Sequence, residues 1–159
     1  MMTETRPILI TLTGLLLILL AGCATQNIEQ EKKPGEDLFA LRQEAAKAYT
    51  NGDMKQSEKQ YTELVKKVPQ DADLWFRLGN VYARTQRPEA AIKAYHEALI
   101  RQPEMSKAWY NMGIMQLRQA VYSFSQLQVY SSTDDPLYNQ SRHLIDGITN
   151  MIGGDDHSK

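Results

Sequence analysis

The feature that most constrains this chain is a match to itself at an offset of 34 residues. Trp75, Phe76, Gly79 and Arg84 fall on Trp109, Tyr110, Gly113 and Arg118, and Pro69 falls on Pro103. A period of that length holds two short helices and the turns that join them. One such unit cannot bury its own apolar face, so units must stack, each touching only its neighbours. With 159 residues there is room for one domain of this kind.

The helix pairs can be placed from their punctuation. In the first period a helix over Leu38 to Thr50 stops at Asn51-Gly52-Asp53, where Gly52 suits positive φ and Asp53 suits an N-cap. Its partner runs from Met54 to Val68 and ends at Pro69. In the second period Ala72 to Arg84 starts beside Asp71 and Asp73, whose charge is favourable at a helix N-terminus. Pro88 then opens Pro88 to Arg101 at the position where a missing amide donor costs nothing. Trp75, Leu78 and Tyr82 make one apolar stripe, Ala91, Tyr95 and Ala98 the facing one, and Gly79 lets the two helices approach.

Trp75, Leu78, Gly79, Tyr82, Ala91, Tyr95, Ala98 and Pro103 together resemble the tetratricopeptide repeat at all eight of its characteristic positions. The resemblance implies an all-α, TPR-type α-solenoid of about three helix pairs with a C-terminal capping helix, spanning residues 37–152. The outer periods depart from the pattern. The first puts Glu44 and Ser57 where apolar or small residues are usual, and the third has Gln116 in place of the aromatic. No Gly, Pro, Asn or Asp interrupts Arg118 to Tyr130, so the third unit is expected to continue as one long helix or to turn through a shortened loop. The alternation through Ser123 to Leu127 also suits a strand, which an otherwise helical array disfavours. Asp134-Asp135-Pro136 reads as a turn and helix start. Leu137, Leu144, Ile145, Ile148, Met151 and Ile152 line a final helix that covers the end of the stack, and residues 153–159 read as a disordered tail.

The other informative segment is the leader. A charged start with Arg6, an apolar run from Ile8 to Leu20 and the small pair Ala21-Gly22 have the form of a secretory signal over residues 1–22. The run is shorter than the roughly 20 residues that a bilayer-crossing helix needs. Leu20-Ala21-Gly22-Cys23 resembles the lipobox of bacterial lipoproteins, which implies cleavage before Cys23 and lipid on its thiol and new amino terminus. Cys23 is the only cysteine, so no disulfide competes for it. Residues 23–36 then read as the lipidated cysteine and a flexible, polar tether. Ala24, rather than Asp, follows the cysteine; by analogy with enterobacterial sorting this favours the outer membrane and its periplasmic face.

Function is expected to be binding rather than catalysis. In tetratricopeptide proteins the first helix of each pair lines a concave face. Carried over by position, that face holds Phe39, Arg42 and Tyr49 in the first unit, Asp73, Phe76, Asn80 and Arg84 in the second, and Lys107, Tyr110, Ile114 and Arg118 in the third. Phe76, Asn80, Arg84, Lys107, Tyr110, Ile114 and Arg118 are the expected contacts to a protein or peptide partner: aromatic anchors with polar groups that fix register. The alternative reading of Phe76 and Tyr110 is that they cover the core or the terminal helix. Asn80 and Asn111 coincide with two asparagines of the family's carboxylate clamp, but Phe76 stands where that clamp needs a lysine. Without its leader the chain keeps 17 basic and 18 acidic residues, leaving no basic excess to grip nucleic acid. His96, His143 and His157 have no metal-ligand spacing, and no phosphate loop or nucleophile motif occurs, so neither metal, cofactor nor enzymatic activity is expected. The alternative is a structural lipoprotein that associates with itself through the atypical third unit, around Val121, Phe124 and Val129.

Overall fold

The computed structural model describes residues 34–153. The leader, Cys23 and tether residues 24–33 lie outside the described residues, as do 154–159. The described residues form six α-helices and no strand: α1 (Pro34–Thr50), α2 (Met54–Lys67), α3 (Ala72–Arg84), α4 (Pro88–Arg101), α5 (Ser106–Tyr130) and α6 (Pro136–Gly153). The main packing runs from each helix to the next along the chain, as in a solenoid.

The turns explain the pairing. After α1 the chain turns through Gly52 at φ 83°, and after α3 it turns at the equivalent position through Gln86 at φ 57°. Asp53 accepts the Gln56 amide at 3.0 Å to cap α2, while Pro88 sits at the start of α4. The third copy of this position is Ala120, the best helix former, in place of a left-handed residue. No turn forms there, and α5 runs unbroken for 25 residues. The long-helix expectation therefore holds, and the third unit is the hairpin of α5 and α6. Asp135 accepts the Leu137 amide at 2.8 Å and starts α6 where the Asp-Asp-Pro signal placed it.

One boundary moves. α1 begins at Pro34, so residues 34–36 belong to the helix and not to the tether. Proline is tolerated in a first turn, and Glu36 and Asp37 there interact favourably with the helix dipole. These terms offset the cost of Gly35, about 1 kcal/mol.

Two apolar clusters make the core. One joins Ala45, Tyr61, Leu64, Val65, Leu74, Leu78 and Val81 across α1, α2 and α3. The other joins Phe76, Ala91, Tyr95, Ala98, Met105, Met112 and Met115 across α3, α4 and α5. Trp75 and Tyr82 touch both clusters. Gly79 is the notch that the spacing indicated: a Cβ there would lie 2.5 Å from Cε1 of Tyr95. The irregular residues of the first unit are matched to each other. Buried Ser57 donates to the Ala45 carbonyl at 3.1 Å, and Gln60 donates to Glu44 at 2.9 Å. The far end is thinner. Beyond Met115 no residue of α5 is fully buried, and α6 buries only Ser141 and Ile148. Leu137, Leu144 and Met151 stand exposed along one flank of that contact, so only part of the apolar face of α6 covers the stack.

Candidate protein-binding groove

The first helices α1, α3 and α5 lie along one side of the array, and polar contacts tie them together. Arg42 on α1 pairs at 2.6 Å with Asp71, the residue that caps α3 through the amides of Asp73 and Leu74. Asp73 takes Arg77 at 2.6 Å and Lys107 of α5 at 3.1 Å. Burial pushes the Asp73 carboxyl upward, but the Arg77 and Lys107 donors outweigh it and hold the group below its ordinary value. Farther along, Asn80 Oδ1 accepts both the Tyr95 hydroxyl at 2.9 Å and the Asn111 side-chain amide at 3.0 Å. Burial pushes the Tyr95 hydroxyl up to about 12, against the opposing influence of Asn111 and Arg118. At the upper edge Arg84 lies 4.9 Å over the Tyr49 ring and donates to the Tyr49 carbonyl at 3.0 Å.

The seven residues read as partner contacts are thus not alike. Phe76 is only 9% exposed: it packs on Tyr95 with ring centroids 5.8 Å apart, and the Lys107 ammonium lies 4.4 Å over its face. It is a buried packing residue rather than an open anchor. Asn80 and half-buried Ile114 also belong to the supporting layer, Asn80 through its hydrogen bonds and Ile114 through the second core cluster. Arg84, Lys107, Tyr110 and Arg118 present surface to solvent, with Tyr110 at 55%. Phe76 and Tyr110 differ because a repeat position is covered by the unit that follows it. α5 follows α3 and lays Lys107 on Phe76, whereas no further first helix follows α5 among the described residues. The sequence carried no separate signal for the Tyr95–Asn80–Asn111 network, because each member is ordinary at its place in the repeat. Among the described residues no group of three His, Cys, Asp or Glu side chains stands close enough to hold a metal ion.

The tetratricopeptide-repeat family model matches residues 43–104 and 83–120. The chain therefore carries tetratricopeptide repeats, and its fold is a solenoid of that type. Among curated proteins it is similar to the peroxisomal targeting signal receptors of Candida albicans, 32% identical over 80 residues, and of Kluyveromyces lactis, 41% identical over 54 residues. Those matches take in 50% and 34% of this chain but only 12% and 10% of the receptors' length, so the chain corresponds to a small part of these relatives. Among solved structures it resembles the second TPR domain of the human RPAP3 protein in complex with the HSP70 peptide SGPTIEEVD, with a TM-score of 0.51 at 16% identity over 74% of this chain and 98% of that one. It also resembles the Sgt2 TPR domain of Aspergillus fumigatus, with a TM-score of 0.50 at 15% identity over 79% and 84%. At these identities the likeness concerns the fold alone.

Proposed function

We propose that this chain is an adaptor lipoprotein that captures a protein or peptide partner on the side formed by α1, α3 and α5. The observation that carries the reading is the pairing of a rigid supporting layer with a polar, aromatic rim. Phe76, Tyr95, Asn80 and Asn111 fix the helices, while Tyr110, Arg84, Arg118 and Lys107 offer ring surface and donors to an extended backbone or a carboxylate. The peptide bound to the RPAP3 domain is a precedent for this use of the fold, though not for the partner. In our reading Cys23 carries the lipid, residues 24–33 form the tether, and the domain works at the periplasmic face of the outer membrane, in pilus, secretion or envelope assembly. Tethering raises the local concentration of any captured partner without adding a contact.

Capture from solubilised membranes with the wild type and with the triple variant Arg84→Ala, Tyr110→Ala, Arg118→Ala tests the groove. A partner retained equally by both overturns it. Mass spectrometry of the mature amino terminus tests the anchor, since an unmodified Cys23 contradicts it. A second reading, self-association of the third unit, is favoured by the exposed apolar residues Tyr122, Val129 and Tyr130 at the end of α5 and Leu137, Leu144 and Met151 on α6. Light scattering that shows a strict monomer at high concentration removes it.

A further inference from the structure

Trp75 and Trp109 are copies of one site, and among the described residues only one copy is filled. In both, the indole Nε1 donates to a proline carbonyl six residues earlier, Trp75 to Pro69 and Trp109 to Pro103, each at 2.8 Å. At Trp75 the site is completed by the end of α4. Arg101 lays its guanidinium 5.1 Å over the indole, donates through Nε to the same Pro69 carbonyl, and is itself held by Glu97 at 2.7 Å. Ala94 and Glu97 of α4 line the shallow apolar depression beside Trp75, Leu78 and Tyr82.

At Trp109 no described residue takes Arg101's place, and the ring is 53% exposed. The cause is the missing turn at Ala120. α5 runs on to Tyr130 before the chain reverses, and Gln128 meets Ser141 at 3.2 Å. Counting back along the antiparallel pair from that contact, Gly153 is level with residue 116, about 10 Å of helix short of Trp109. The open copy also has Glu104 after its proline, where the filled copy has Gln70. An indole face beside a carbonyl with a free lone pair selects a cation, and Glu104 adds a negative charge at the next residue in the chain.

We infer that the uncovered Trp109 site is a docking position for a helix of another protein that carries an arginine, which stacks on Trp109 and donates to the Pro103 carbonyl as Arg101 does at Trp75 and Pro69. The filled copy also specifies the rest of that helix: a glutamate four residues before the arginine to brace it, and a small residue about a turn before the glutamate so that the backbone can approach. Trp109 and Tyr110 are neighbours in sequence but about 100° apart around α5, so this site is separate from the groove and does not depend on it.

The test uses the full chain in detergent and, as probe, a side-chain-stapled helical peptide with the sequence of residues 88–101. The two indole N–H resonances report the two sites separately, with that of Trp109 identified by Trp109→Phe. The expected result is a saturable shift of the Trp109 resonance while the Trp75 resonance stays in place and certifies the fold. An Arg101→Ala peptide should bind about tenfold more weakly, and the chain variant Trp109→Ala should not bind. Equal binding of the two peptides overturns the inference, as does an unmoved Trp109 resonance at millimolar peptide. A Trp109 shift that grows with chain concentration alone assigns the site to a second copy. One that appears on deleting residues 154–159 assigns it to the chain's own tail, and either outcome also overturns the inference.

Discussion

Gly79 and Gly113 occupy the same position in consecutive units, yet adding a methyl group to each is expected to act in opposite directions. At Gly79 the new Cβ would lie 2.5, 2.6 and 3.1 Å from three ring atoms of Tyr95, about 1 Å inside ordinary contact. Tyr95 is 1% exposed and its hydroxyl is fixed by Asn80, so the ring has nowhere to move without breaking that bond. Overpacking costs about 1 to 3 kcal/mol, and loss of the buried hydrogen bond adds about 1 kcal/mol. Better helix propensity returns up to about 1 kcal/mol. Gly79→Ala should therefore destabilise by about 2 kcal/mol. At Gly113 a Cβ meets nothing within 4 Å, so Gly113→Ala keeps only the propensity gain and should stabilise by about 0.5 to 1 kcal/mol. Urea unfolding followed by circular dichroism measures both values. Shifts of the same sign, or a neutral Gly79→Ala, would refute the argument that α3 and α4 are locked through this notch while α5 and α6 are not.

Three further outcomes are expected. Gln86 is held in the left-handed region that Gly52 occupies one unit earlier, so Gln86→Gly should stabilise by about 0.5 to 1 kcal/mol in the same assay. Because the folded-state Tyr95 hydroxyl is raised from 10.0 to about 12, its contribution is complete below pH 10 and is lost as pH rises through 12; alkaline unfolding should show a loss of about 2 to 3 kcal/mol over that window that Tyr95→Phe removes. Amide hydrogen exchange should find residues 117–153 far less protected than α3 and α4, since that stretch buries only Ser141 and Ile148.

The repeat was legible because its parts are local or strictly periodic. Gly79 against Tyr95, the Asp53 cap, the Pro88 start and the unbroken helix after Arg118 all follow from residue type and the 34-residue spacing. What the sequence did not disclose depends on neighbours. Phe76 and Tyr110 match in sequence, but one lies under Lys107 and the other at the end of the stack. Trp75 and Trp109 differ for another reason: Arg101 of α4 covers Trp75, whereas the missing turn at Ala120 carries the chain reversal far from Trp109. Glu44 and Ser57 read as misfits because their matches, Gln60 and the Ala45 carbonyl, are set by tertiary contact. α1 starts a turn before Leu38, because Pro34-Gly35 resembles a spacer in sequence and yet forms the first helical turn.

Site-specific photocrosslinking in living cells tests the central claim most directly. A photoreactive residue is placed at position 110 or 118 on the groove side, or at the exposed position 100 on α4, a second helix. The expected result is one protein partner trapped from 110 and 118 and absent from 100. Trapping from all three positions alike, or from position 100 alone, would contradict capture by the side that α1, α3 and α5 form.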